Sequence, residues 1–145
     1  KMSRYEAQEN VSVKIVLPKQ LTDHCEISAQ TNLLCISSLD IRRIEYDGSA
    51  DSVIIDNSTG SIELTSKSDM DITADKINGV LDINLWRARA TVHISEENIP
   101  AVENNGRKCS IAYIKDGKPY EPQCANNSGV IRAAGIGADV VVEIK

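Results

Sequence analysis

The chain has no phenylalanine, one tryptophan (Trp86) and four tyrosines among 145 residues. Large rings therefore cannot fill its interior. A core has to come from Ile, Val and Leu, which suit thin pleated layers. No apolar run approaches the ~20 residues of a membrane-spanning helix. No leader-type stretch opens the chain: residues 1–10 are polar and read as a linker, so a signal or membrane anchor is expected only upstream of this segment. The two histidines, His24 and His93, sit in no recognisable catalytic setting, which removes a nucleophilic triad. The four cysteines lack the C-x-x-C spacing of a metal site. Cations do not dominate either. Sixteen Lys and Arg against 21 Asp and Glu give a net charge of -5, with the cations scattered. That leaves no nucleic-acid footprint and no polybasic membrane surface. No cofactor-binding motif is present.

What the chain does have is spacing. Hydrophobic residues make up 41%, enough to exclude a disordered chain, and they fall in short alternating runs. Cys25-Glu26-Ile27, Ile44-Glu45-Tyr46, Ile62-Glu63-Leu64 and Leu81-Asp82-Ile83 start at steps of 18 or 19 residues. A second set starts at Leu34, Val53, Met70 and Val92. Two four-residue strands per unit cannot bury a core alone, whereas units stacked in register can, each strand pairing with its counterpart ~4.8 Å away. Turn residues punctuate the pattern at Asp47-Gly48, Ser58-Thr59-Gly60 and Asn78-Gly79. The expected fold is all-β: one domain over 11–145, a right-handed β-helix-like solenoid of ~18–19-residue units. An antiparallel sandwich is the alternative with similar strand spacing.

The alternation assigns faces. Ile44, Tyr46, Ile62, Leu64, Leu81 and Ile83 point inward in the first strands, and Val53, Ile55, Met70, Ile72, Val92 and Ile94 in the second. Val11 to Leu17, ending at Pro18, reads as an opening strand. After Ser95 the spacing breaks. Ser110 to Ile114 reads as a strand, Asp116-Gly117 as a type I′ hairpin turn, and Val130-Ile131 and Val140 to Ile144 as closing strands of an irregular C-terminal cap.

Three features are candidates for chemistry. The middle residues Glu26, Glu45, Glu63 and Asp82 form an outward acidic column if the units stack. Neighbouring carboxylates at ~4.8 Å repel by about 1 kcal/mol in water. Either a calcium-like cation binds them or nearby Arg42, Arg43 and Lys67 relieve them. Cys109 and Cys124, like Tyr113 and Tyr120, are equidistant from the Asp116-Gly117 turn, which allows a disulfide. Pro122 at a hydrogen-bonded site of that hairpin counts against it. Trp86 follows an inward Leu85 and so points outward beside Arg87 and Arg89. It can stack on a sugar or a partner protein, or fold over a turn.

Several stretches resemble a known group. Thr59-Gly60-Ser61-Ile62-Glu63-Leu64 and Asn78-Gly79-Val80-Leu81-Asp82-Ile83 resemble its small/Gly-x-Ile/Leu-acid-Ile/Leu element. Val13-Lys14-Ile15-Val16-Leu17-Pro18 resembles its opening strand, and Gly137-Ala138-Asp139-Val140-Val141-Val142-Glu143 its closing strand. The group is the bacterial adhesin-like domain family of unknown function, which has β-solenoid or β-helix-like folds. The cysteines and the Lys115 to Gln123 segment depart from its pattern. The resemblance implies a non-enzymatic interaction module of the cell surface or envelope. Such a module meets an unidentified protein or glycan ligand, touches a membrane only through a separate anchor, and brings no catalytic residues. Two other functions fit the residues: a polymerising β-helical scaffold, and a carbohydrate-active β-helix enzyme, against which 3% aromatics argues.

Overall fold

The computed structural model describes residues 12–18, 23–125 and 129–145. The linker read at 1–10 lies outside them. The chain is all-β, in one strongly curled, open sheet. Its strands are β1 (His24–Ser37), β2 (Asp40–Asp56), β3 (Thr59–Ser66), β4 (Met70–Ala74), β5 (Asn78–Trp86), β6 (Arg89–Ile94), β7 (Ala101–Asn104), β8 (Ser110–Lys115), β9 (Lys118–Tyr120), β10 (Val130–Ile136) and β11 (Asp139–Ile144).

The long strand β2 joins two arms. Its first half pairs with β3, followed by β5, β10 and β7; its second half pairs with β4, followed by β6, β11, β8 and β9; β1 lies along its other edge. Every ladder is parallel except the β8–β9 hairpin. In the first arm Cys25 pairs with Ile44, Ile44 with Ile62, Ile62 with Leu81 and Leu81 with Ile131. This is the pairing that the spacing predicts for the first four. The inward side chains of both arms form the core: Ile44, Tyr46, Leu64, Ile72, Leu81, Ile83 and Val92 are all buried. Burying each aliphatic chain contributes about 1.5–3 kcal/mol, so two columns of them hold the arms together.

The structure departs from the spacing in five places. First, the pairs of short strands expected at 25–37 and 44–56 are single strands of 14 and 17 residues. The chain bends without breaking because the alternation slips between Ala50 and Val53, both buried at 1%. Second, Val53 pairs with Ile72, not Met70, and Ile72 with Val92. A two-residue shift keeps the same face inward, so the burial expectation survives the register error. Third, residues 12–18 carry no strand, and Val13, Ile15 and Val16 are exposed. Fourth, β10 and β11 do not close the sheet. They insert between β5 and β7 and between β6 and β8, and Ile131, Ala133, Val140 and Val142 are fully buried. The outermost layer is β7 with the β8–β9 hairpin, whose strands are short, polar-edged and end in Pro119 and Tyr120, features that blunt a sheet edge. Fifth, Asp47-Gly48 lies inside β2, not in a turn between strands.

That bend depends on contacts the sequence hides. Tyr46 is 1% exposed, and its hydroxyl donates toward the carbonyls of Ala29 and Ser49, each 2.8 Å away. Burial, with Asp47 nearby, raises its pKa. A Cβ on Gly48 would lie 1.7 Å from the Ala29 carbonyl oxygen, so only glycine allows this approach. The Asp116-Gly117 turn is the opposite case: both residues have positive φ, 52° and 71°, as a type I′ turn needs, and nothing lies within 4 Å of a Cβ on Gly117. Thermal unfolding followed by circular dichroism should separate the two. Gly117→Ala costs about 1–2 kcal/mol of left-handed strain. Gly48→Ala should lower the melting temperature by more than about 10 °C, or abolish folding, as backbone collisions do. Equal effects would refute the collision at Gly48.

Candidate functional site

The acidic column forms as the register requires. Glu26 pairs with Glu45, Glu45 with Glu63 and Glu63 with Asp82. It continues into residues the spacing did not reveal, Arg132 and then Glu103. Cations interleave with it. Arg43 places Nε 2.5 Å from Glu45 Oε1 and Nη2 2.9 Å from Glu63 Oε2. Arg132 reaches Glu103 Oε2 at 3.0 Å and Asp82 Oδ2 at 3.5 Å. Of the expected cations only Arg43 serves the column; Arg42 pairs with Asp23 at 2.9 Å, and Lys67 lies in the groove described below.

Among the described residues, His24, Glu26 and Glu45 come nearest to a metal-ligating set, their donor atoms within 4.8 Å of one another. The set is largely exposed, and Arg43 already holds the same Glu45 oxygen that His24 approaches at 3.5 Å. A bound cation would face that fixed positive charge, so the geometry favours ion-pair relief over a metal site. Asp82 bears the remaining strain. Its Oδ1 is buried, with no hydrogen-bond partner among the described residues. Burial raises its pKa, and Arg132 only partly offsets this.

The other candidates separate. His93, read as a surface residue, has a side chain only 14% exposed. It lies between Asp71 and Glu143, with Nε2 3.0 Å from Asp71 Oδ1 and Nδ1 2.8 Å from Glu143 Oε2. All four cysteines are free. Cys109 and Cys124 are not joined because the hairpin ladder ends at Tyr113–Tyr120 and the chain leaves it before Pro122. Cys109 instead turns toward β11: its Sγ accepts the Ala138 N–H at 3.4 Å and lies 3.6 Å from the carbonyls of Arg107 and Ala134.

Trp86 is 50% exposed and lines a groove of about 530 Å³ at the corner between the arms. That volume suits a small-molecule or oligomer site. The walls are rows of the sheet. Two residues beyond the acidic column, on the same face, Ser28 pairs with Asp47, Asp47 with Thr65, Thr65 with Asn84 and Asn84 with Ala134, and of this row Asp47, Thr65 and Asn84 line the groove. The next row holds Gln30 opposite Ser49 and Trp86 opposite Ile136. The loop residues Lys67 and Ser68 complete the rim. Trp86 is held on its β10 side, by the ladder to Ile136 and by the following Arg87 N–H, which donates to the Ile136 carbonyl at 2.8 Å. Arg87 and Arg89, expected beside the ring, are not in the groove. Arg89 donates to Asp139 at 2.6 and 2.8 Å, and the Arg87 side chain lies against Gly137. The exposure of Trp86 follows from period 2. Its polar neighbours come from four strands and a loop and are visible only once the register is known.

Asp82 carries a pH prediction. A carboxyl whose folded pKa is raised stabilises the fold most when protonated, below the ordinary value of about 3.9; that contribution is lost as pH rises through the raised pKa. Asp82→Asn mimics the protonated form. It should raise the melting temperature by about 2–4 °C at pH 7 and leave it unchanged at pH 3. A loss of stability at pH 7 would mean that the Arg132 pair outweighs burial. Comparison with protein-family models, with curated proteins and with solved structures finds no match to this chain.

Proposed function

We propose that this chain is a short β-solenoid of the adhesin-like kind, acting as a non-enzymatic interaction module of a bacterial cell surface or envelope, with the Trp86 groove as its binding surface. The observation that carries the reading is the sole tryptophan, half-exposed on a ladder-fixed strand beside a row of small polar side chains. An exposed ring costs solubility unless it meets a partner, and a strand-borne ring is positioned in advance. The solenoid reading is supported by parallel ladders whose first-arm partners are 18 or 19 residues apart from His24 to Asp82. Binding rather than catalysis is supported by the groove's titratable residues. Asp47 and Lys67 are the only ones among its described lining, so paired-carboxylate hydrolysis has no second acid to use. No helix among the described residues is long and apolar enough to cross a membrane, so tethering in this reading comes from a separate segment.

One observation favours a second reading, self-assembly. Among the described residues, the outer edge of β1 has no partner strand over its 14 residues. Cys25, Ile27 and Leu34 on it are only half-buried, whereas Ile44, Tyr46 and Val53 on the next strand are 1% exposed. An open parallel edge invites another strand. The opposite end is the short, polar-edged β7–β9 layer, a poor second face for a head-to-tail polymer, so a β1-to-β1 dimer is the favoured form. Sedimentation over a range of concentrations distinguishes a monomer from this dimer.

The groove reading is tested by screening the immobilised domain on glycan and peptide arrays beside a hydrolysis assay on the bound compounds. The expected result is binding without product, weakened at least tenfold by Trp86→Ala, the usual size of a hot-spot aromatic. Unchanged binding by that variant moves the site elsewhere; release of product makes the chain an enzyme.

A further inference from the structure

Resting on the reading of the Trp86 groove as a binding surface, we infer that its ligand is an uncharged oligosaccharide lying along the arm, across the strands. Three features select that chemistry. The first is the lining. Beside the apolar Leu85, Trp86 and Ile136 and one residue of each charge, it offers amides and hydroxyls, as in Gln30, Ser49, Thr65 and Asn84. These groups both donate and accept, which matches sugar hydroxyls. The indole face supplies a flat apolar platform for the C–H face of a ring.

The second feature is charge. Asp47 and Lys67 cancel within the groove. The column of Glu45, Glu63 and Asp82 lies two residues away on the same face, about 7 Å at the rise of a strand. The cations beside it, Arg43 and Arg132, are already engaged with its carboxylates and with Glu103. An anionic polymer would meet that column with no free cluster of cations, which disfavours nucleic acid or a polyanionic glycan.

The third feature is backbone use. An extended peptide gains affinity mainly by adding to an unpaired sheet edge. Here Thr65 and Asn84 are paired on both sides, Ser49 and Trp86 on one, and Gln30 lies on the edge strand β1, so over the middle of the groove only side chains are available. A ligand that bonds to side chains alone and presents a hydroxyl at each step fits better. The rows repeat at ~4.8 Å and span five strands, roughly 19 Å of contact, and a linear saccharide advances by a comparable step per sugar. Rows fixed by a sheet hold this geometry before the ligand arrives.

Because Trp86 is the only tryptophan, its fluorescence reports occupancy directly. The purified chain is titrated with cellotetraose, chitotetraose, mannotetraose and maltotetraose, with their monosaccharides, with tetragalacturonate as the charged control, and with a pool of neutral dodecapeptides. The expected result is a saturable change with at least one neutral tetrasaccharide, at least tenfold tighter than its monosaccharide. Asn84→Ala, checked for an unchanged circular dichroism spectrum, should weaken it about fivefold, the effect of one lost hydrogen bond. Saturation by peptides alone overturns the saccharide assignment and leaves the groove as a binding surface. Saturation by tetragalacturonate alone overturns the uncharged assignment. Equal affinity for monosaccharide and tetrasaccharide overturns the alignment along the arm. No change with any of these overturns both the saccharide and the groove.

Discussion

Parallel, in-register pairing between neighbouring strands is the constraint on which the rest of the structure depends. It places each residue directly beside its counterpart ~4.8 Å away, so any residue type the pattern favours is multiplied along a row. Inward rows gain: Ile44, Ile62, Leu81 and Ile131 are all buried at 5% or less. Outward rows of carboxylates lose. The magnitudes decide the balance. Each buried aliphatic chain contributes about 1.5–3 kcal/mol, against about 1 kcal/mol for a pair of solvated carboxylates at this spacing. The register is therefore set by the aliphatic rows, and the charged rows have to be accommodated afterwards.

Accommodation comes from residues one step aside or far along the chain. Arg43 precedes the column by two residues and bridges Glu45 and Glu63. Arg132 enters the column itself because β10 inserts beside β5. The same late insertion brings Glu143 to His93 and Asp139 to Arg89. In Asp139, hydrogen bonds from Ser110 and then Arg89 lower the pKa. Exposed pairs of this kind contribute only about 0–1 kcal/mol each. They do not hold the sheet together; they remove a penalty that the aliphatic rows impose. Asp82, with one oxygen buried and without a hydrogen-bond partner among the described residues, shows where removal is incomplete.

This hierarchy also explains what could be read in the sequence. The rows of Ile, Val, Leu and acid between Cys25 and Ile83 are direct prints of the register, and so they were legible. The slip from Met70 to Ile72 was not, because both have the parity that faces inward and both are buried. The insertion of β10 and β11 inside β7 and β8 was hidden for a different reason. Nothing in a linear pattern states which of two aliphatic segments docks first, and only their relative polarity hints at it. Val13 to Leu17 shows the reverse limit: strand-like alternation without a ladder. Cys109 and Cys124 failed as a pair because hairpin symmetry holds only as far as the ladder runs.

The corner between the arms is where register stops dictating side-chain type. Along the arms, inward positions are committed to the core, and outward positions beside Glu45 and Glu63 are committed to charge relief. At the bend the alternation slips, Gly48 and Tyr46 absorb the geometry, and Asp47, Thr65, Asn84 and Trp86 are left with neither duty. Their backbones stay in the ladder while their side chains are free to vary without cost to the core. A binding surface placed there inherits the rigidity of the sheet and none of its compositional demands. That is the physical reason for the half-exposed tryptophan to stand at this corner and not along an arm, where an outward ring would sit among the carboxylates.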